Sequence, residues 1–203
     1  MTPGQAPRRI LLLIDDLECG GAQQLVVSLG AELVRRGLRC TVCVLHPRTD
    51  LKDRLAAAGV PVACLDRPRP SILTPLRFAG YVLGCLTDIR RLIRRESIEV
   101  VHAHLSDAEF LGIAAARLCG IRRVLVTVHS QRPLPPRRAG DPRRRLRLWL
   151  TRLLFNQAGA VVAVSRETAD LLRDLFGVRQ DLLHVVINGI DTEAAAAPAG
   201  PPL

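Results

Sequence analysis

Aromatic residues are scarce: four Phe, one Tyr and one Trp in 203 residues. A core then has to be assembled from Leu, Val, Ile and Ala. That diet suits helices packed on a parallel sheet, whose strands read as continuous aliphatic runs. The same scarcity argues against nucleic acid as a partner, because single-strand binding leans on aromatic stacking. Lysine is scarcer still, with Lys52 the only one, although the formal net charge is +10. Long apolar runs are missing too. Ile10–Ile14 has five residues and Phe78–Leu86 nine, short of a secretory h-region with its cleavage pattern and of the roughly 20 residues a membrane span needs.

Several chemical signatures are also missing. The chain has no G-x-G-x-x-G, no G-K-[ST] and no G-x-S-x-G, which weakens dinucleotide, P-loop and serine-hydrolase readings. Cysteine is present six times, at 19, 40, 43, 64, 85 and 119, but without the dense spacing of a secreted disulfide scaffold. Cys40 and Cys43 form a C-x-x-C inside an apolar run. On a strand they point to opposite faces, which suits neither a metal nor a redox pair. Buried reduced thiols and a reducing, cytoplasmic compartment follow as expectations.

What is present is a regular alternation. Aliphatic runs at 9–15, 38–45, 60–65, 99–104, 122–129, 160–164 and 184–187 read as strands. Helical spacing fills 22–36, 51–58, a long stretch ending near 95, 107–119, 143–157 and 166–176. Gly37, Gly59 and Gly120 stand where C-cap glycines belong. Strands alternating with helices predict βαβ units and an α/β, Rossmann-like, doubly wound parallel sheet of about seven strands. Ligands in such sheets sit beyond the carboxyl ends of the strands, where Asp15, His46, His104, His129, Ser165 and Asn188 fall. Residues 1–8 read as a disordered N-terminus, 9–191 as one domain, and 192–203, rich in Ala and Pro, as a linker-like tail.

Gly20-Gly21 follows the first strand and opens a helix. A ligand's phosphate can approach that backbone and the free N–H groups of the helix start, although an ordinary strand-to-helix turn has the same sequence. His102 and His104 share a strand face, and His129 ends the following strand. A metal there is conceivable, but no acid or thiol is placed beside them; hydrogen bonding to a ligand is the better use of His104 and His129. Asp15 and Asp16 are adjacent rather than set across a pocket, so they do not read as an acid/base pair. Eight arginines lie between Arg132 and Arg152. Arg137, Arg138, Arg143, Arg144 and Arg145 form a patch for anionic lipid or a phosphorylated ligand, followed by Leu146–Leu154 with Trp149 on an amphipathic helix. The excess of Arg over Lys is equally explained by a GC-rich genome; its clustering is not.

Taken in order, these segments resemble a known family. Cys19-Gly-Gly-Ala-Gln-Gln24, Val100-Val-His-Ala-His104, Val124-Leu-Val-Thr-Val-His129, Val161-Val-Ala-Val-Ser165 and Val185-Val-Ile-Asn-Gly-Ile-Asp191 are similar to the motifs of the N-terminal, acceptor-side domain of retaining glycosyltransferases of family 4, one half of a GT-B fold. The resemblance implies a nucleotide-sugar donor, a glycan or lipid-linked acceptor in cell-envelope or exopolysaccharide synthesis, and no metal or other cofactor. It implies that Gly20 and Gly21 face the donor diphosphate, that His129 is the catalytic contact to the transferred sugar, and that His104, Ser165 and Asn188 serve the acceptor and sugar. Ile187 stands where the pattern has Pro. The family's donor-binding domain has no counterpart before residue 203, so the chain alone is expected to transfer sugar weakly or not at all. Two other readings remain: half of a sugar-nucleotide epimerase, or a non-catalytic domain held on an anionic membrane, peripheral to its cytoplasmic face.

Overall fold

A computed structural model describes residues 9–129 and 142–189. Seven strands form one sheet: β1 (Arg9–Ile14), β2 (Arg39–Val44), β3 (Val62–Cys64), β4 (Val100–His104), β5 (Val124–Val128), β6 (Ala160–Ala163) and β7 (Leu183–Val185). The order is β3-β2-β1-β4-β5-β6-β7 and every pairing is parallel. The chain starts in the middle, runs to one edge, then crosses back to β4 and continues to the other edge. That reversal between β1 and β4 is the topological switch point, where open α/β sheets bind ligands. The doubly wound reading of the sequence is the fold observed.

The helices are α1 (Gly21–Arg35), α2 (Lys52–Ala57), α3 (Pro75–Arg95), α4 (Ser106–Leu118), α5 (Pro142–Phe155) and α6 (Arg166–Asp174). Two cores result, one on each side of the sheet. Ile10, Leu12 and Ile14 pack with Val26, Val27 and Leu55 under α1 and α2. Leu11 and Leu13 pack with α3, α4 and the fully buried Phe155 and Leu172 of α5 and α6. Because β1 is covered on both faces, its sequence is an unbroken aliphatic run rather than an alternating one. Cys40 and Cys43 fall in opposite cores, as their odd spacing on β2 requires. All six cysteines are free thiols, and burial pushes that of Cys40 up to about 12.

Gly112 sets how closely α4 lies on the sheet. A Cβ there would stand 3.0 Å from Ala103 Cβ and 3.1 Å from Leu13 Cδ2, so hydrogen alone fits between helix and strand. The close approach brings the start of α4 against the ends of β1 and β4.

Two elements differ from the sequence expectation. The strands expected at 60–65 and 184–187 are the short edge strands Val62–Cys64 and Leu183–Val185. Val60 is buried in the α1/α2 core, and Pro61 has no N–H to give the ladder and only accepts from Val42 N–H at 2.9 Å. Ile187 has left the sheet and is 78% exposed. Helix α5 falls where helical spacing placed it; Arg143, Arg144 and Arg145 belong to its first turn, with no acid in that turn.

Candidate active site at the carboxyl edge of the sheet

Three imidazoles line up across β4 and β5. His102 and His104, two residues apart on β4, place their ring centroids 4.2 Å apart, and the His104 and His129 rings are 5.3 Å apart. His102 Nε2 shares a hydrogen bond with Thr127 Oγ1 at 2.8 Å, and His104 Nδ1 one with His129 Nε2 at 3.0 Å. Burial holds His102 down to about 4 and His104 well below its usual value, with the neighbouring imidazoles adding to the effect. His129 is lowered by burial as well. All three are therefore neutral at pH 7. A neutral pair sharing one proton has two tautomeric arrangements: either His104 donates to His129, or the reverse. His129 Nδ1 and His104 Nε2 are buried with no partner among the described residues, and an unpaired buried nitrogen costs about 1–3 kcal/mol.

His104, expected on the acceptor side, is fully buried and in hydrogen-bond contact with His129, which lies nearer the surface. His129 directly follows β5, one residue beyond the strand. The backbone turns sharply after His104. Leu105 has φ 70° and ψ 168°, a region nearly reserved for glycine and worth about 1–3 kcal/mol of strain. This residue leads directly into α4.

A second group, invisible in the sequence, anchors that helix start. Asp15, just past β1, accepts from Ala108 N–H at 2.7 Å and Asp107 N–H at 3.3 Å. It thereby caps α4 from more than ninety residues away in the chain. Burial pushes its carboxyl up to about 6, against the opposing pull of the Ala108 N–H. Asp107 in turn accepts from Tyr81 Oη at 3.1 Å and pairs with Arg69. Arg69 lies over the Phe78 ring, and His46 stacks on Tyr81 while meeting the Arg67 carbonyl at 2.9 Å. The ends of β1, β2 and β4 and the start of α3 are thus tied into one polar rim around the switch point.

The remaining expected residues fall as follows. Gly20 is the N-cap of α1 and Gly21 its first residue. A Cβ on Gly21 would meet nothing within 4 Å. Asp16 beside them accepts from Gln23 Nε2 at 2.7 Å. Ser165 spends its oxygen on capping α6, accepting from Thr168 N–H at 3.2 Å, which gives it a structural task that the sugar-binding expectation did not include. Replacing Ser165 with Ala is expected to cost about 1 kcal/mol, read as a lowered urea midpoint. Asn188 is exposed beyond β7. Arg137 and Arg138 lie outside the described residues, as does the side chain of Arg143. Arg144 is half-buried and Arg145 exposed. No group of three or more His, Cys, Asp or Glu able to hold a metal occurs among the described residues.

A sequence model of Glycosyltransferase Family 4 matches residues 19–194. The chain belongs to this family. The alpha-maltose-1-phosphate synthase of Mycolicibacterium smegmatis is 34% identical over 142 residues, 66% of this chain and 36% of the relative. The chain therefore spans little more than a third of that protein's length. A glycosyltransferase of Rickettsia africae superposes with a TM-score of 0.72 at 13% identity, over 92% of this chain and 44% of that one. The same architecture appears in the UDP-GlcNAc 2-epimerase of Neisseria meningitidis, with a TM-score of 0.57 at 14% identity over 87% of this chain and 45% of that one. The fold alone does not separate transferase from epimerase; family membership does.

Proposed function

We propose that the chain forms the acceptor-side half of a retaining glycosyltransferase moving a sugar from a nucleotide-sugar to a glycan or lipid-linked acceptor, in cell-envelope or exopolysaccharide synthesis. The observation that carries the reading is the neutral His104–His129 pair at the carboxyl edge, with one unpaired nitrogen on the outer ring. His129, the more exposed ring of the pair, would contact the transferred sugar, and His104 would fix its tautomer. The Gly20-Gly21 turn and the positive end of α1 would face the donor diphosphate. The chain's contribution would be orientation and charge stabilisation. The reaction is proposed to need no metal or other cofactor, as the family resemblance implies. The donor side is proposed to belong to residues outside the stretch matched here.

The test joins residues 1–191 to the remaining portion of the Mycolicibacterium smegmatis relative and offers a panel of nucleotide-sugars and acceptors. Acceptor-dependent release of nucleoside diphosphate is the expected result. If the intact relative is active and the chimera releases none with any donor, the transferase reading fails.

A second reading concerns place. No helix among the described residues is long and apolar enough to cross a membrane. On α5, Thr151 and Phe155 are buried, while Leu146, Trp149 and Leu153 are 44–57% exposed, and Arg145 and Arg152 are exposed beside them. That face, with arginines in the first turn adding to the positive end of the helix, suits a cytoplasmic protein resting on an anionic membrane surface. Co-sedimentation with phosphatidylglycerol vesicles at low salt is expected, weakened severalfold by Leu146→Ser with Trp149→Ser and by high salt. If the chain stays in solution at low salt, this reading is lost.

A further inference from the structure

A cleft of about 530 Å³ opens at the amino edge of the sheet, opposite the histidines and roughly 20 Å away along β1 at about 3.3 Å per residue. Arg9, Arg39, Thr41, Arg95 and Glu96 supply its polar lining, and Val34, Leu38 and Ile98 an apolar wall. It lies where α1 and α3 end, between the first residues of β1 and β2. Nothing in the transferase reading uses it.

The charges are arranged unusually for a purely structural role. Arg9 and Arg39 stand directly opposite each other in the β1–β2 register, and like charges so placed repel. Glu96 does not relieve them. One of its carboxylate oxygens accepts from Thr41 Oγ1 at 2.7 Å and the other from Arg95 at 3.0 Å. Arg9 reaches only the Glu96 carbonyl, at 3.1 Å. Glu99 lies next along on the β4 side, giving its N–H to the Arg9 carbonyl at 2.9 Å, and is not part of the lining. Of the three lining guanidiniums only Arg95 meets the Glu96 carboxylate, and Arg39 has no ion-pair partner among the described residues.

We propose that this cleft is a second ligand site, for an organic phosphate. The phosphate would lie between Arg39 and Arg95, whose planar forks match its oxygens, with Arg9 close enough to add its charge. The organic part would rest on Val34, Leu38 and Ile98. The volume falls in the range of small-molecule sites, where an apolar wall and a few convergent polar groups divide the work. Occupancy would remove the Arg9–Arg39 repulsion and brace the junction of α1, α3 and the sheet, so the ligand would act on stability without touching the carboxyl edge. This site stands whether or not the transferase reading does.

The test titrates the 203-residue chain with ADP, adenosine, pyrophosphate and inorganic phosphate, following amide shifts and heat. ADP is expected to bind at least tenfold more tightly than adenosine or inorganic phosphate and to shift the amides of Thr41 and Ile98. Arg39→Ala and Arg95→Ala should each weaken it at least fivefold with amide spectra otherwise preserved. Arg94→Ala, an exposed arginine on the same helix outside the lining, should leave it unchanged. The proposal is overturned if Arg94→Ala weakens ADP as much as Arg39→Ala, since that is diffuse attraction. It is equally overturned if the shifts fall only around Leu105–Ala108, or if no probe binds. Binding of pyrophosphate and inorganic phosphate as tight as ADP would remove the apolar wall's role and with it the organic phosphate.

Discussion

His129→Ala is expected to lower the turnover of the assembled transferase by about 10²–10³-fold, the usual consequence of deleting one well-placed hydrogen-bonding group from an active site, with a much smaller change in KM. The argument starts from the unpaired nitrogen. His129 uses Nε2 on His104 at 3.0 Å, and Nδ1 has no partner among the described residues. A contact from the ring to the sugar that strengthens as charge develops appears in kcat rather than in KM. The substitution also strands His104 Nδ1 in the interior, at about 1–3 kcal/mol, so rates belong well below the lowered melting temperature. His104→Phe separates the two roles. It keeps His129 but removes the partner that selects its tautomer, and turnover should fall by about tenfold with the remaining activity depending differently on pH. Normal turnover in His129→Ala would remove the histidine from the chemistry.

Much of the scaffold was legible because parallel strands buried on both faces leave an unmistakable trace. Ile10–Ile14 is a continuous aliphatic run and Val124–Val128 is one broken only by Thr127, and Gly37, Gly59 and Gly120 do take the left-handed conformation, at φ 78°, 72° and 78°. The strand-end histidines could be found because a polar residue closing such a run must meet either solvent or a partner. What the sequence hid were contacts between distant segments. Nothing near Asp15 marks it as the cap of α4, since its donors, Asp107 and Ala108, belong to another βα unit. The Arg69–Asp107–Tyr81 group is assembled from three separate elements. The burial of His104 also escaped a one-dimensional reading, because period-two alternation tells which face a ring is on and not how much chain covers it. Ser165 shows the converse. Its strand-end position suggested a ligand contact, whereas the ordinary demand of a helix start for a cap already accounts for its oxygen.

The buried titrating groups predict that stability rises with pH between about 4 and 6.5, and that two single substitutions change the slope in opposite directions. His102 titrates near 4 when folded and near 6.5 when unfolded. The unfolded chain therefore binds more protons in that interval, and raising the pH stabilises the fold, by about 3 kcal/mol in all. His104 and His129, both lowered, act in the same direction. Asp15 acts against them. Its folded value of about 6 lies above the ordinary 3.8, so its favourable contribution is complete below pH 3.8 and is lost as pH rises through 6, again about 3 kcal/mol. One carboxyl thus offsets roughly one histidine, and the other two decide the sign. Urea midpoints at pH 4, 5, 6 and 7 should climb in the native chain. In Asp15→Asn the opposing contribution is gone and the climb steepens, although the variant is less stable at pH 4 because an amide oxygen replaces only one of the two caps. In His102→Gln, where the amide still reaches Thr127, the climb flattens. Below pH 4 the surface carboxylates intervene, among them Glu32, held near 2 by Arg35, which is why the comparison stops there. A His102→Gln slope equal to that of the native chain would show that His102 is not the neutral, poorly hydrated ring its packing against Thr127 and His104 requires.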